Sequence, residues 1–141
     1  MTDPTANTHT LIVEREIPHP PEKIWRALTE SNLIQQWLME NDFEPAVGHK
    51  FNLRMPPMQG WNGVIDSEVL AVEPHQLLSY TWASMGLAST VTFTLTPTAG
   101  GTRLRMEQSG FPDTNGPNYK GASYGWQGFL GKLEQVVGGL A

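Results

Sequence analysis

The chain has 141 residues, room for one domain rather than two. It contains no cysteine, which removes disulfides, zinc–thiolate sites and thiol catalysis from consideration. Nine Lys+Arg against 14 Asp+Glu leave a net charge of −5, which argues against nucleic acid or an anionic membrane surface as a partner. No apolar run approaches the ~18 residues of a membrane-spanning helix. The start, MTDPTANTHT, has neither the basic nor the apolar region of a secretory signal. Residues 1–9 read as a disordered polar tail and 10–141 as a single domain, in a setting expected to be cytoplasmic. Five tryptophans and six methionines remain to be placed.

Thr10 to Ile17 alternates as a strand, with Leu11, Val13 and Arg15 on one face and Ile12, Glu14 and Glu16 on the other. Pro20 and Pro21 can open a helix, because the first helical N–H groups lack partners in any case. Ile24 and Leu28 are spaced for one face of that helix, with Trp25 beside them as packing. Thr29 to Asn32 punctuates it, and LIQQWL suggests a second short helix carrying Leu33 and Trp37.

From Gly48 the period becomes two. HKFNLRM, WNGVIDSEVLAVEP, LLSYTW, STVTFTLTP and TRLRMEQS read as successive antiparallel strands joined by turns, such as Glu73 to Gln76 and Ala99 to Gly101. Leu78, Tyr80 and Trp82 share one face, as do Val91, Phe93 and Leu95 on the next strand. Thr102, Leu104, Met106 and Gln108 are predicted inward, while Arg103 and Arg105 face solvent. Gly110 to Pro117 reads as a loop. The following stretch carries Ala122, Trp126, Phe129, Leu130, Leu133, Val136, Val137 and Leu140 at spacings of three and four, the stripe of an amphipathic helix. Gly121, Gly125 and Gly128 share another face, where the sheet, a ligand or a second chain could approach the backbone; this leaves room for a homodimer. The element order predicts an α+β fold: a curved antiparallel sheet of about six strands, with two short helices and one long helix on its concave face.

The segments IPHPPEKIWRALTE and LIQQWL, then GVIDSEVLAVEPHQLLSYTW, GTRLRMEQSGF and YGWQGFLGKL, occur in an order that resembles the activator of heat-shock-protein-90 ATPase homologue family. That family lies within the START-like (SRPBCC) helix-grip superfamily, which includes pollen-allergen-type proteins and polyketide cyclases. The resemblance spans about residues 10 to 140. It implies a helix-grip fold with a cavity between the bent sheet and the C-terminal helix. Two departures stand out. The namesake activators carry a separate N-terminal chaperone-binding domain for which 141 residues leave no room, so a chaperone partner is not expected. Many relatives have a histidine near the position of Gln108.

The candidate chemistry is that of a pocket rather than a catalytic centre. His9, His19, His49 and His75 fall in the tail, in loops or at turn edges, and no His/Asp/Glu grouping has ligand spacing, so neither a catalytic residue nor a metal or other cofactor is expected. Asp66 with Glu68, and Asp42 with Glu44, read as solvated edges. The inward candidates for ligand binding are Trp37, Met55, Trp61, Tyr80, Trp82, Phe93, Met106, Gln108, Tyr124, Trp126, Phe129 and Leu133. Tryptophan offers a broad apolar face with one donor, and methionine adapts to varied shapes, although an aromatic stripe is more often plain core. The segment from Met55 to Met58 reads equally as a pocket rim or a stiff turn. A buried Gln108 requires a partner: a ligand, a water or a tyrosine hydroxyl.

The leading expectation is a small domain binding a hydrophobic, lipid-like or planar aromatic molecule, with Gln108 and Tyr80 or Tyr124 orienting it; the resemblance adds a stress-response setting. A cyclase, hydratase or hydrolase acting on an aromatic or polyketide-like substrate ranks second, for want of an evident base. A chaperone cofactor ranks third.

Overall fold

The computed structural model describes residues 9–56, 62–84, 87–112 and 116–140. Strand β1 (His9–Ile17) buries Leu11, Val13 and Ile17 and exposes the alternate residues. Helix α1 (Pro21–Thr29) starts on a proline with Glu22 in its first turn, and it buries Ile24, Ala27 and Leu28. Glu30 breaks the helix: its extended backbone ends α1 and opens α2 (Ser31–Trp37). The Trp37 indole Nε1 donates to the Ala27 carbonyl at 2.8 Å and fixes α2 on α1.

The rest of the sheet is β2 (Glu40–Asn41), β3 (Lys50–Arg54), β4 (Val64–Glu73), β5 (Leu77–Ser84), β6 (Leu87–Thr98) and β7 (Gly101–Phe111). The order across it is β1-β7-β6-β5-β4-β3-β2, with every neighbour antiparallel. Helices α1 and α2 therefore carry the chain from one edge strand to the other. Helix α3 (Pro117–Gly138) lies on the concave face and buries Trp126, Leu130, Leu133 and Val137, spaced by four, three and four residues. The seven-stranded curved sheet gripping a C-terminal helix has the α+β layering that the element order predicts and is the helix-grip fold that the family resemblance implies. The strand beyond the expected six is β2, whose two residues are too short to show a period.

Register pairs place the inward residues in rows across the sheet. One row runs Val69, Tyr80, Val91, Gln108, Leu11, and the next contains Leu78, Phe93, Met106 and Val13. Parity inferred from sequence holds along β1, β5, β6 and β7. In β4 it changes phase after Val69: Val69 pairs with Tyr80 but Ala71 pairs with Ser79, leaving Leu70 as an extra, exposed residue. Such a bulge bends a strand and increases its twist, in keeping with the curvature of this sheet.

Two expectations require correction. Gly110 and Phe111 belong to β7, not to a loop. Gly110 has φ 114°, and a Cβ there would meet the Ala88 carbonyl oxygen at 2.8 Å, so only glycine lets β7 continue this close to β6. Of the three approaches expected at the helix glycines, that of the sheet is not made. Nothing lies within 4 Å of a Cβ built at Gly121 or Gly128, and at Gly125 the nearest atom is a Phe129 ring carbon one turn along, at 3.8 Å. The polar tail predicted over residues 1–9 lies outside the described residues except for His9, which opens β1.

Candidate functional site

Strands β3, β5 and β7 end, and β4, β6 and α3 begin, at the same end of the sheet. We call this the loop end; α1 and α2 cover the other. The inward surface differs between the two. Toward the helix-covered end lie aliphatic side chains such as Ile17, Leu78, Leu95 and Leu104, all buried. Thr102, a buried polar residue there, donates to the His19 carbonyl at 2.8 Å. Toward the loop end the inward positions carry Ser67, Trp82, Ser89 and Gln108, beneath Trp126 and Phe129 of α3.

Gln108 anchors a short relay of hydrogen bonds. Its Oε1 accepts from the Trp126 indole Nε1 at 2.8 Å, and its Nε2 donates to Ser89 Oγ at 3.0 Å. Ser89 Oγ in turn donates to the Trp82 carbonyl at 2.8 Å. Gln108 is 2% exposed, so this relay supplies the partners its burial demands. The partners expected for it were a ligand, a water or a tyrosine hydroxyl. The actual partners are an indole and a serine, because Trp126 lies directly over the Gln108 position. Gln108 therefore orients the Trp126 indole.

Around Trp126 the rings form a continuous cluster. Trp82 lies 5.3 Å from it between ring centroids, Phe129 5.7 Å and Phe93 5.8 Å. The cluster continues from Phe93 to Tyr80 at 6.0 Å, to Phe51 at 5.2 Å and to Phe43 at 5.1 Å, mostly edge-on or tilted as ring quadrupoles prefer. Trp82, Leu87, Ala122 and Phe129 are only partly buried and form an apolar rim at the loop end. Tyr80 is 4% exposed. Burial pushes its pKa well above the ordinary tyrosine value, which keeps the phenol neutral.

Of the residues predicted inward, Tyr80, Trp82, Phe93, Met106, Gln108, Trp126, Phe129 and Leu133 are brought together on the concave face. Phe93, Met106 and Leu133 are its fully buried floor. Trp37 is also buried, edge-on to Phe93 at 6.2 Å, but its donor is occupied by Ala27, so it belongs to the packing of α1 and α2. Tyr124 does not belong: it is 86% exposed. Two residues apart on a helix are about 200° apart around its axis, so Tyr124 and Trp126 cannot share a face. Met55, 36% exposed at the end of β3, instead borders an open groove with Gln35, Met39 and Arg54. Trp61 and Met58 lie outside the described residues. Sequence reasoning missed Ser67, Ser89 and Phe51 as inward residues of the site. Ser67 and Ser89 were legible in strand parity, each two residues from a buried valine, but small polar residues drew no notice among tryptophans.

Away from the concave face, charged groups pair across the surface. Glu16 meets Arg103 at 2.9 Å and Glu14 meets Arg105 at 3.9 Å on the outer face of β1 and β7. Asp42 is exposed at the β3 edge. Its Oδ1 accepts from the Asn52 backbone N–H at 2.8 Å, which chiefly holds its pKa below the usual carboxylate value, with Arg54 at 3.5 Å assisting. Among the described residues no group of three or more His, Cys, Asp or Glu side chains is placed to hold a metal ion. No helix among them is long and apolar enough to cross a membrane.

Sheet, grip helix and aromatic concave face together define a helix-grip protein. Residues 18–138 match the family described as Activator of Hsp90 ATPase homolog 1-like protein, and the chain belongs to that family. It is similar to the solved protein MLL2253 from Mesorhizobium loti, with 56% identity and a TM-score of 0.85, covering 92% of this chain and 96% of that one. Protein BH1534 from Bacillus halodurans is 28% identical at a TM-score of 0.77, covering 92% and 96% of the two chains. The fold is shared with DynU16, a protein of the dynemicin biosynthetic locus, at 24% identity and a TM-score of 0.77, covering 94% of this chain and 48% of that one. Comparison with curated proteins finds no match.

Proposed function

We propose that this protein binds a small hydrophobic molecule, planar aromatic or lipid-like, at the loop end of its concave face. The observation that carries this reading is the incomplete burial of the apolar rim. Trp82, Leu87, Ala122 and Phe129 surround the buried Trp126 and stay partly accessible, while the helix-covered end is closed by aliphatic packing. Apolar area removed from water contributes roughly 25 cal/mol per Å2, so a ring laid against two indoles gains substantially from burial. The Tyr80 hydroxyl supplies a neutral hydrogen-bonding group inside the aromatic cluster, and a few polar groups in an apolar setting are what orient a ligand. Gln108 acts through Trp126, whose indole it holds in place.

A cyclase or hydrolase would need a base beside its substrate. Among the described residues, the inward strand positions carry one charged side chain, Arg15, which is held by Glu134 at 3.3 Å and by the Gln127 carbonyl at 3.1 Å. That favours binding over turnover.

The test is a titration with fatty acids and planar aromatics, followed by tryptophan fluorescence. A saturable change that is lost in Trp82→Ala is expected. A panel with no saturable change would remove the proposal.

A further inference from the structure

Ser67 occupies an inward position of β4 between Ile65 and Val69. It is 7% exposed, and its Oγ has no hydrogen-bond partner. A buried hydroxyl left unpaired is costly, and an alanine or valine would fill a strand position without that cost. Its surroundings are those of the site. Phe51 is its partner on β3, and the Phe51 ring is edge-on to Tyr80 at 5.2 Å, so two hydroxyl residues, Ser67 and Tyr80, flank one aromatic ring. The β4–β5 ladder is also interrupted there. Pairing runs from Asp66–Ala83 to Val69–Tyr80 without Ser67 or Glu68, and the Glu68 N–H donates to Thr81 Oγ1 at 2.8 Å. By this register Trp82 of the rim is the residue across from Ser67.

We infer that Ser67 and Tyr80 form the polar end of the binding site and together hold one uncharged oxygen of a planar ligand, a phenolic hydroxyl or a ketone carbonyl. This rests on the binding reading given above. Each hydroxyl can donate or accept, so the pair satisfies either kind of oxygen. A carboxylate is disfavoured, because its charge would be buried without a cation: Arg15, the inward cation of the described strands, is on edge strand β1 and already bound to Glu134.

The test is calorimetric titration of the whole protein with naphthalene, 2-naphthol and 2-naphthoate, repeated on Ser67→Ala and Tyr80→Phe. The inference predicts that 2-naphthol binds roughly tenfold tighter than naphthalene, the size of one well-made hydrogen bond. Each substitution should remove most of that advantage, read as the ratio of 2-naphthol to naphthalene affinity within the same variant, and 2-naphthoate should bind more weakly than 2-naphthol. Should Ser67→Ala fail to fold, Ser67→Cys, slightly larger and with only a weak donor and acceptor, gives the same comparison. Equal affinity for naphthalene and 2-naphthol, or an advantage that survives loss of the serine hydroxyl, overturns the Ser67 assignment while the binding reading stands. Tight binding of 2-naphthoate overturns the exclusion of charge. If none of the three binds, the binding reading fails, and this inference with it.

Discussion

Gln108 shows how one buried polar residue organises a wall of rings. Replacing it with leucine keeps the volume approximately but strands the Trp126 N–H, while Ser89 keeps its bond to the Trp82 carbonyl. Unpaired buried donors cost about 1–3 kcal/mol, so Gln108→Leu should lower the urea unfolding free energy by about that amount. An unchanged midpoint would mean that the relay does not hold Trp126. Tyr80 makes a separate prediction through its raised pKa. The unfolded chain loses the phenolic proton near pH 10 while the folded chain keeps it, so the stability due to this group is full below about pH 10 and falls as pH rises further. Tyr80→Phe should flatten that alkaline loss, measured as the difference in unfolding free energy between the two proteins above about pH 10. Parallel curves would contradict it. Residue identity was legible unevenly. The inward phase of Gln108 followed from strand alternation, but its partners did not, because which helix residue lies over it depends on how α3 crosses the sheet.

At the scale of elements, α3 is weakened by glycines that face open space. Gly121 and Gly128 are exposed, and nothing lies near a Cβ at either. Alanine is favoured over glycine inside a helix by up to about 1 kcal/mol, so Gly121→Ala and Gly128→Ala should each stabilise by that order, read as a raised unfolding midpoint. Gly110→Ala should do the reverse. Positive φ and the Ala88 carbonyl both oppose a Cβ, and a loss above about 1 kcal/mol is expected in the same assay. The pattern of apolar residues made α3, the strands and their order readable. It could not distinguish a glycine that permits close approach from one facing solvent, since both look alike in a sequence. Nor did it reveal the β4 bulge, which follows from ladder pairing across Leu70 rather than from local alternation.

The whole molecule divides its interior into two ends. The helix-covered end, locked by the Trp37–Ala27 hydrogen bond and aliphatic packing, provides a stable base. The loop end carries the partly buried rim, the Gln108 relay, the unpaired Ser67 hydroxyl and the Tyr80 phenol. Stability and the proposed binding are thus assigned to different ends of one sheet. The family and fold were legible from the order of segments along the chain. The division was not, because it depends on which strand ends meet. The most direct test follows the five indole N–H signals by 1H–15N NMR during titration with 2-naphthol. The account predicts saturable shifts for Trp82 and Trp126, with the Trp25 signal, beside His75 of the β4–β5 turn, unmoved at the far end. Shifts centred on Trp25, or no indole shift up to saturating probe, would contradict a binding site at the loop end.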